Sequence, residues 1–300
     1  MPRVAVIIPA FNGANTIAET IASVQAQTFD DWEILVSDDG STDGTGTVVD
    51  RLADPRVRTI YGPNTGPAGA RNRALEQSSA ELVAFLDADD LWLPHYLSRQ
   101  VALLDHEASG DGGPVGAVAC NALIANEDGT PTGGTYHQLF GRRRIDPVTL
   151  ERLLRRNTVY ISCLVPRDAG DAVGWFDPTL FGTEDHDLWL KILESGRRIL
   201  LQDEPLAVYR RTSSSISRNT ERQAMNNQRT LHRAISRGHL TPRQRRIARA
   251  EIRYNRALEV LSARVFNGRR PPVTSIPNLA WVAVTRPSHW RQWAAAVRSR

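Results

Sequence analysis

The residues able to do chemistry in this chain are clustered carboxylates and one oddly placed arginine. Asp87-Ala88-Asp89 ends an apolar run from Leu82 to Leu86 and is followed directly by Asp90. Carboxylates at i and i+2 of an extended chain, with the small Ala88 between them, turn to one face. Two like charges so close oppose each other's ionisation unless a cation or water separates them. Oxygen-only ligation suits Mg2+ or Mn2+, which keep waters and share substrate phosphates as ligands. The cluster therefore reads as a divalent-cation site in which Asp89, with Asp87, bridges to a diphosphate. A second reading stays open: Asp90 as the N-cap of a helix that opens near Pro94.

Ser37-Asp38-Asp39-Gly40-Ser41-Thr42-Asp43 also follows an apolar run. Thr42 or Asp43 suits a helix cap, and Asp39 is then spare to accept the N–H of a pyrimidine base. Pro9-Ala10-Phe11-Asn12 makes a rigid exit from the first apolar run, with Phe11 able either to stack on a base or to pack. Arg71 lies one turn into a helix introduced by Gly66-Pro67-Ala68-Gly69. A cation there opposes the helix dipole, so its place calls for a phosphate or a carboxylate partner, with Asp39 and Asp87 as candidates for an ion pair.

The elements that position these groups follow from periodicity. Val4 to Ile8, Trp32 to Val36, Val57 to Tyr61 and Leu82 to Leu86 are strand-like, the first of them a continuous run suited to burial on both faces. Ile17, Ile21 and Val24 recur at helical spacing, and helices follow the second and third strands. Repeated βα units predict a parallel sheet with right-handed crossovers, and ligands bind such sheets beyond the carboxyl ends of the strands. The clusters at 9–12, 38–43 and 87–90 all lie there, so they should meet at one edge. Further on, helices are expected over 94–106, 147–156 and 184–195, with strands at 115–125, 159–165, 199–201 and 206–209. From about Thr220 the chain is helical and arginine-rich, and Pro271-Pro272 precedes a last amphipathic segment over 281–297.

Four segments together resemble the sequential motifs of family 2 inverting glycosyltransferases of the GT-A fold: Ile7 to Asn12, Trp32 to Asp43, Gly69 to Asn72, and Phe85 to Asp90. Order and spacing match over roughly residues 3–215. The resemblance implies an α/β fold with a Rossmann-like, mostly parallel central sheet flanked by helices. It implies that Pro9, Phe11, Asn12 and Asp39 line the nucleoside pocket, that Arg71 contacts the nucleotide, and that Asp87, Ala88 and Asp89 form the element on sugar and metal, Mn2+ or Mg2+. Phe181-Gly182-Thr183-Glu184-Asp185-His186-Asp187-Leu188-Trp189 resembles the family's acidic pair, with Asp185 at the position of the catalytic base and Glu184 beside it. A carboxylate there takes the acceptor hydroxyl's proton as it attacks the anomeric carbon. His186 and Trp189 are candidates on the acceptor side. At Tyr209-Arg210-Arg211 the family carries a basic motif followed by a histidine. Here Thr212 stands near that place, leaving Arg211 as the candidate for phosphate.

The resemblance implies a nucleotide-diphosphate sugar donor, UDP-sugar favoured, and a saccharide or lipid-linked acceptor in cell-surface glycoconjugate synthesis. Loops near 133–144 and 213–218 would set specificity. Two alternatives are a catalytically silent nucleotide-sugar-binding module and a nucleotidyltransferase. Intact Asp87, Asp89 and Asp185 speak against the first, and the lack of a glycine-rich basic loop after the first strand against the second. The expected organisation is a catalytic domain over 1–217 and an arginine-rich helical extension over 218–300. Of 37 basic residues only Lys191 is a lysine, which genome composition explains as readily as function. The basic extension suits peripheral membrane contact, and no nucleic-acid motif is recognisable in it. Cys120 and Cys163 form no CxxC pair and sit in apolar runs, as buried thiols do in a reducing compartment. With no apolar run near ~18 residues, the expected location is cytoplasmic, including the inner face of the membrane.

Overall fold

A computed structural model describes residues 1–140, 147–212 and 219–267, with Asn278, Val282, Thr285 and Arg286 beyond them. The chain divides into two compact units, Met1–Ser213 and Ser214–Arg300.

Unit 1 is built on a nine-stranded sheet. Its first strands are β1 (Val4–Ala10), β2 (Trp32–Asp38), β3 (Val57–Tyr61) and β4 (Leu82–Phe85). They stand in the order β3-β2-β1-β4, all parallel. β1 and β4 are buried along almost their whole length, as strands covered on both faces must be. Helices α1 (Ile17–Gln25), α2 (Thr45–Asp50) and α3 (Gly66–Leu75) make the connections. α1 buries Ile17, Ile21 and Val24, the residues whose spacing predicts it. Register sets up the site: Ala10 lies opposite Asp38 and Ile7 opposite Phe85, so β1, β2 and β4 end at one level.

The rest of the sheet is mixed, so the whole is mostly parallel, as the resemblance implies. Beyond β4 come β8 (Cys163–Pro166), β6 (Val115–Asn126), β9 (Arg198–Arg211) and β5 (Leu91–Trp92), with β7 (Pro131–Thr135) paired to β6. β8 is antiparallel to both β4 and β6, and β9 is parallel to β6. The strand expected over 159–165 shrinks to its last residues. Its first half turns locally, with the Val159 N–H on Asn157 Oδ1 (3.2 Å) and the Cys163 N–H on the Ile161 carbonyl (2.7 Å). Two strands expected at 199–201 and 206–209 are one, because an irregular register at Asn121 accommodates Pro205, which has no N–H for a ladder. Helices α4 (Tyr96–Ala108), α5 (Leu150–Arg155), α6 (Arg167–Val173) and α7 (Glu184–Glu194) complete the unit. Both cysteines are free and buried.

Unit 2 contains α8 (Thr220–Arg237) and α9 (Pro242–Asn267), packed on each other. Asn219 caps α8 through the Arg222 N–H (2.9 Å), and Gly238, at φ 84°, ends it. α9 opens with a reciprocal capping box, Thr241 Oγ1 accepting from the Gln244 N–H and Gln244 Oε1 from the Thr241 N–H, and Pro242 follows at the first turn. No helix among the described residues is long and apolar enough to cross a membrane. The segment expected over 281–297 lies outside the described residues but for Val282, Thr285 and Arg286, as do 141–144 and 213–218 of the two specificity loops.

Candidate active site

Three strand-end loops are tied into one edge. The Asn12 N–H donates to Ser41 Oγ (3.0 Å) and Asn12 Oδ1 accepts from the Thr42 N–H (2.9 Å), with Asn12 itself at φ 53°. Asp43 accepts from the Ala14 and Thr45 N–H groups at 3.0 Å each. From α1, the Thr16 and Thr20 hydroxyls donate to the Ala88 carbonyl at 2.8 and 3.0 Å, and Thr20 also reaches the Asp90 carbonyl. The loops after β1, β2 and β4 thus converge as the sequence predicts. Phe11 stands out from them, 53% exposed. Pro9 lies at the end of β1 beside Ser37.

Asp39 is buried and its carboxylate is engaged by the protein. It accepts from the Thr65 N–H (2.9 Å), the Gly66 N–H (2.8 Å) and the Arg73 guanidinium (3.1 Å). The Thr65 and Gly66 N–H groups are orphan donors at the start of α3, so Asp39 acts on that helix as a cap contributed from another loop. Gly66 makes the approach possible at φ +78°, where a side chain is strained. A base N–H would share this carboxylate with four protein donors, the Thr65 hydroxyl at 3.1 Å being the fourth.

Arg71 joins two of the expected motifs. Its guanidinium is buried and donates to Asp87 Oδ1 at 2.6 Å and to Glu184 Oε1 at 2.8 Å, while lying 5.3 Å from the centre of the Phe176 ring. A cation near a helix start is unfavourable locally. Two charge-assisted bonds to carboxylates from other elements offset that cost. The Asp87 partner was foreseeable from the sequence. The Glu184 partner, 113 positions away, was not.

Asp87, Asp89 and Asp90 each offer a carboxylate oxygen within 4.8 Å of one another. Burial first, then the Asp87 charge, pushes the Asp89 carboxyl up to about 6. Asp90 is also pushed well up, by burial and then by Asp89 and Asp87. Burial disfavours the charge of Asp89 and Asp90, which a bound dication would reverse, and an all-oxygen set fits Mg2+ or Mn2+. Asp87 and Asp89, partly exposed, are the two that can turn to such an ion. Asp90 is enclosed: it accepts from the Tyr160 hydroxyl and from the Arg210 N–H at 2.8 Å. The reading of Asp90 as a helix cap is corrected, since α4 starts at Tyr96 with His95 before it.

Arg210 is the residue that sequence reasoning passed over. Its neighbour Arg211, the expected phosphate contact, is exposed at the end of β9. Arg210 points the other way, as successive residues of a strand must. It is buried, binds Glu19 at 2.8 Å, and leaves Nε and Nη2 without partners. Its charge acts on Asp89, drawing that carboxyl down against the effect of burial.

At the start of α7 the two adjacent carboxylates have different surroundings. Glu184 is buried, with Oε1 on Arg71 and Oε2 accepting from the Gly182 N–H at 2.6 Å. Asp185 remains partly exposed. Oδ1 accepts from the His186 N–H (2.7 Å) and Oδ2 from the Asn157 amide (2.8 Å). Loss of solvation, then the Glu184 charge, pushes Asp185 up to about 7, against the His186 N–H, Arg71 and Asn157, which draw it down. Of the pair, Asp185 is the one poised to exchange a proton near neutrality. His186 and Trp189 are interior: the ring of His186 meets the Leu153 carbonyl at 2.8 Å and Trp189 has no exposed surface. Neither presents a face to an acceptor here. Tyr136, Tyr160 and Tyr209 pack ring to ring at 5.1 to 5.8 Å, and this aromatic cluster carries the Tyr160 hydroxyl that holds Asp90.

The profile of "Glycosyl transferase family 2" matches residues 5–145. TuaG of Bacillus subtilis, a glycosyltransferase named for teichuronic acid biosynthesis, is 32% identical over 222 residues, covering 73% of this chain and 82% of TuaG. The chain belongs to glycosyl transferase family 2. This family 2 glycosyltransferase is also 32% identical over 221 residues to the Escherichia coli UDP-Glc:α-D-GlcNAc-diphosphoundecaprenol β-1,3-glucosyltransferase WfgD, covering 72% of this chain and 80% of WfgD. Its fold is similar to that of the mannosyltransferase PcManGT from Pyrobaculum calidifontis in complex with GDP-Man and Mn2+. The TM-score is 0.67 at 22% identity, over 99% of this chain and 86% of that one. The fold is therefore that of the GT-A glycosyltransferases, and relatives of this transferase serve cell-envelope polysaccharide synthesis. Family membership sets aside the nucleotidyltransferase reading.

Proposed function

We propose that unit 1 moves a sugar from a nucleotide-diphosphate donor to an acceptor hydroxyl with inversion at the anomeric carbon, and that the acceptor is lipid-linked. The observation that carries this reading is the Arg71 bridge between Asp87 and Glu184, which fixes the donor-side loop and the base-side helix in one buried unit. Asp185, next to Glu184, takes the acceptor proton through its exposed edge. The acceptor oxygen then forms its bond to the anomeric carbon, the bond to the diphosphate oxygen breaks, and that electron pair leaves with the nucleotide. A carboxyl held at about 7 is matched to this task, being about half ionised at neutral pH and basic enough to accept the proton. Asp87 and Asp89 would hold Mn2+ or Mg2+, which supplies charge neutralisation for the departing diphosphate. Phe11, Pro9 and Asn12 would border the nucleoside, with Asp39 behind them and Arg210 or Arg211 near phosphate.

UDP is favoured as the nucleotide. WfgD is named for UDP-Glc and for an undecaprenol-linked acceptor, and a likeness over four fifths of WfgD supports both assignments. An acceptor of that kind places catalysis at the cytoplasmic face of the membrane. Turnover of UDP-, GDP- and dTDP-sugars with Mn2+ or Mg2+ tests the donor. Asp89→Ala and Asp185→Asn should each abolish transfer, and only Asp89→Ala should weaken metal-dependent donor binding in calorimetry. Removing a general base commonly costs 10²–10⁴-fold, so near-normal turnover by Asp185→Asn would overturn the assignment of the base.

A further inference from the structure

The charge of the chain is divided very unevenly. Residues 214–300 contain 18 arginines and three acidic residues, whereas residues 1–213 contain 19 basic and 30 acidic ones. Much of the excess is sorted by α9 onto one side. Arg246, Arg249, Arg253 and Arg256 are all exposed, while Ile247, Ala248, Glu251, Ile252 and Asn255 between them are buried. The spacing i, i+3, i+7, i+10 draws the four arginines into one stripe, about 15 Å long at 1.5 Å per residue.

Among the described residues of unit 2, none neutralises that stripe. None of the four arginines has a hydrogen-bond or ion-pair partner among the described residues. Of the two acids on α9, Glu251 is buried and bound to Arg286, and Glu259 accepts from the Gln228 amide at 2.7 Å. Like charges one and two turns apart repel each other along a helix, so the local fold gains nothing from them. A genome rich in arginine codons explains why the cations are arginine. It does not explain why cations, rather than glutamine or alanine, fill one face of an otherwise well-formed helix.

We propose that the α9 stripe is a docking surface for an anionic phospholipid bilayer. A row of guanidinium groups fits a plane of lipid phosphates, each attracted within a screening length of the surface. A nucleic acid is the less suitable occupant: the stripe has no aromatic side chain on which a base can stack, and Tyr254, the one tyrosine of α9, is partly buried under the Arg286 guanidinium at 4.3 Å. The proposal rests on the reading of a lipid-linked acceptor, since binding the bilayer holds the enzyme where that acceptor is.

Sedimentation of the full chain with vesicles at 0.1 M NaCl decides it. Vesicles of 30% phosphatidylglycerol in phosphatidylcholine should carry the protein down, pure phosphatidylcholine should not, and 0.5 M NaCl should release it. Each arginine removed should weaken binding about fivefold. Arg249→Gln with Arg253→Gln should therefore lose about 25-fold, and the fourfold glutamine variant still more, with helix content and donor turnover unchanged. Failure of the wild type to bind phosphatidylglycerol vesicles would overturn the proposal, as would wild-type binding by the fourfold variant, or duplex DNA displacing the protein from vesicles at equal phosphate. The two readings fail separately. A chain that sediments but turns over no nucleotide sugar overturns the transfer assignment alone, and an active chain that stays in the supernatant overturns the docking surface alone.

Discussion

Asp185 sits between opposing influences, and its behaviour should report on them one at a time. With the carboxyl at about 7, kcat/KM should rise as pH increases through 7 and level off above it, because only the ionised form accepts the proton. The Asn157 amide donates to Asp185 Oδ2 and so favours that ionised form. A hydrogen bond to a charged group contributes roughly 1.5–3 kcal/mol, and one pH unit corresponds to about 1.4 kcal/mol. Asn157→Ala should therefore move the limb up by about one to two pH units while leaving the plateau rate nearly intact. A variant slower at every pH, with the limb unmoved, would mean that Asn157 only supports the fold. Stability has the opposite sign. The folded value lies above the ordinary 3.8, so the neutral form is the one the fold favours. Its contribution is whole below about pH 4 and is lost as pH rises through 7. Asp185→Asn should thus melt higher than wild type at pH 8 and much the same at pH 4, the expected mark of a group kept for activity at a cost in stability. The residue types at this site were legible in the sequence; their partners were not. Arg71 announces that it needs an anion, but choosing Glu184 takes the folding of α7 beside α3. Arg210 and Arg211 differ only in which side of a strand they face.

Elements were legible where their pattern is intrinsic. β1 to β4 are apolar runs with punctuation at their ends, and three of the loops that follow them make the site. α7 begins at Glu184, where its acidic first turn predicts. Apart from the local turn that shortens β8, the misreadings share a cause, since each concerns an element defined by a distant partner. β5 has two residues and exists because Leu91 and Trp92 pair with Val208 and Ala207. β7 is Pro131–Thr135, glycine-rich, and exists because it pairs with β6. The unity of β9 depends on a register irregularity that no reading of one strand contains. α3 is the element on which the site turns, for it carries Arg71 and is capped by Asp39. Its first residue, Gly66, is at φ +78°, and a Cβ there would lie 3.2 Å from the Phe181 ring. Gly66→Ala combines that contact with left-handed backbone strain of roughly 1–2 kcal/mol. For a unit of about 200 residues each kcal/mol lowers the midpoint by ~2–4 °C. The variant should accordingly melt several degrees below wild type and, by shifting α3, raise KM for the donor. An unchanged midpoint would show that the entry to α3 adapts freely.

At the scale of the whole molecule, two compact units of opposite charge should not melt as one. Unit 1 holds every residue assigned to donor, metal and base, so a ligand acting through them stabilises that unit and no other. Mass action sets the size: at 100 times its Kd, a ligand specific to the folded state adds about 2.7 kcal/mol. Calorimetry of the full chain should therefore show two transitions, of which only one rises when UDP and Mn2+ are added together. Asp89→Ala should abolish that rise. Salt identifies the other transition independently. With 18 arginines against three acids, unit 2 is destabilised by self-repulsion that added ions screen. Raising NaCl from 0.05 to 0.5 M should lift the midpoint that UDP and Mn2+ leave in place by more than it lifts the other. A single transition that responds as a whole to both ligand and salt would show instead that the two units unfold together, and that donor binding at one end of the chain is felt at the arginine stripe of the other.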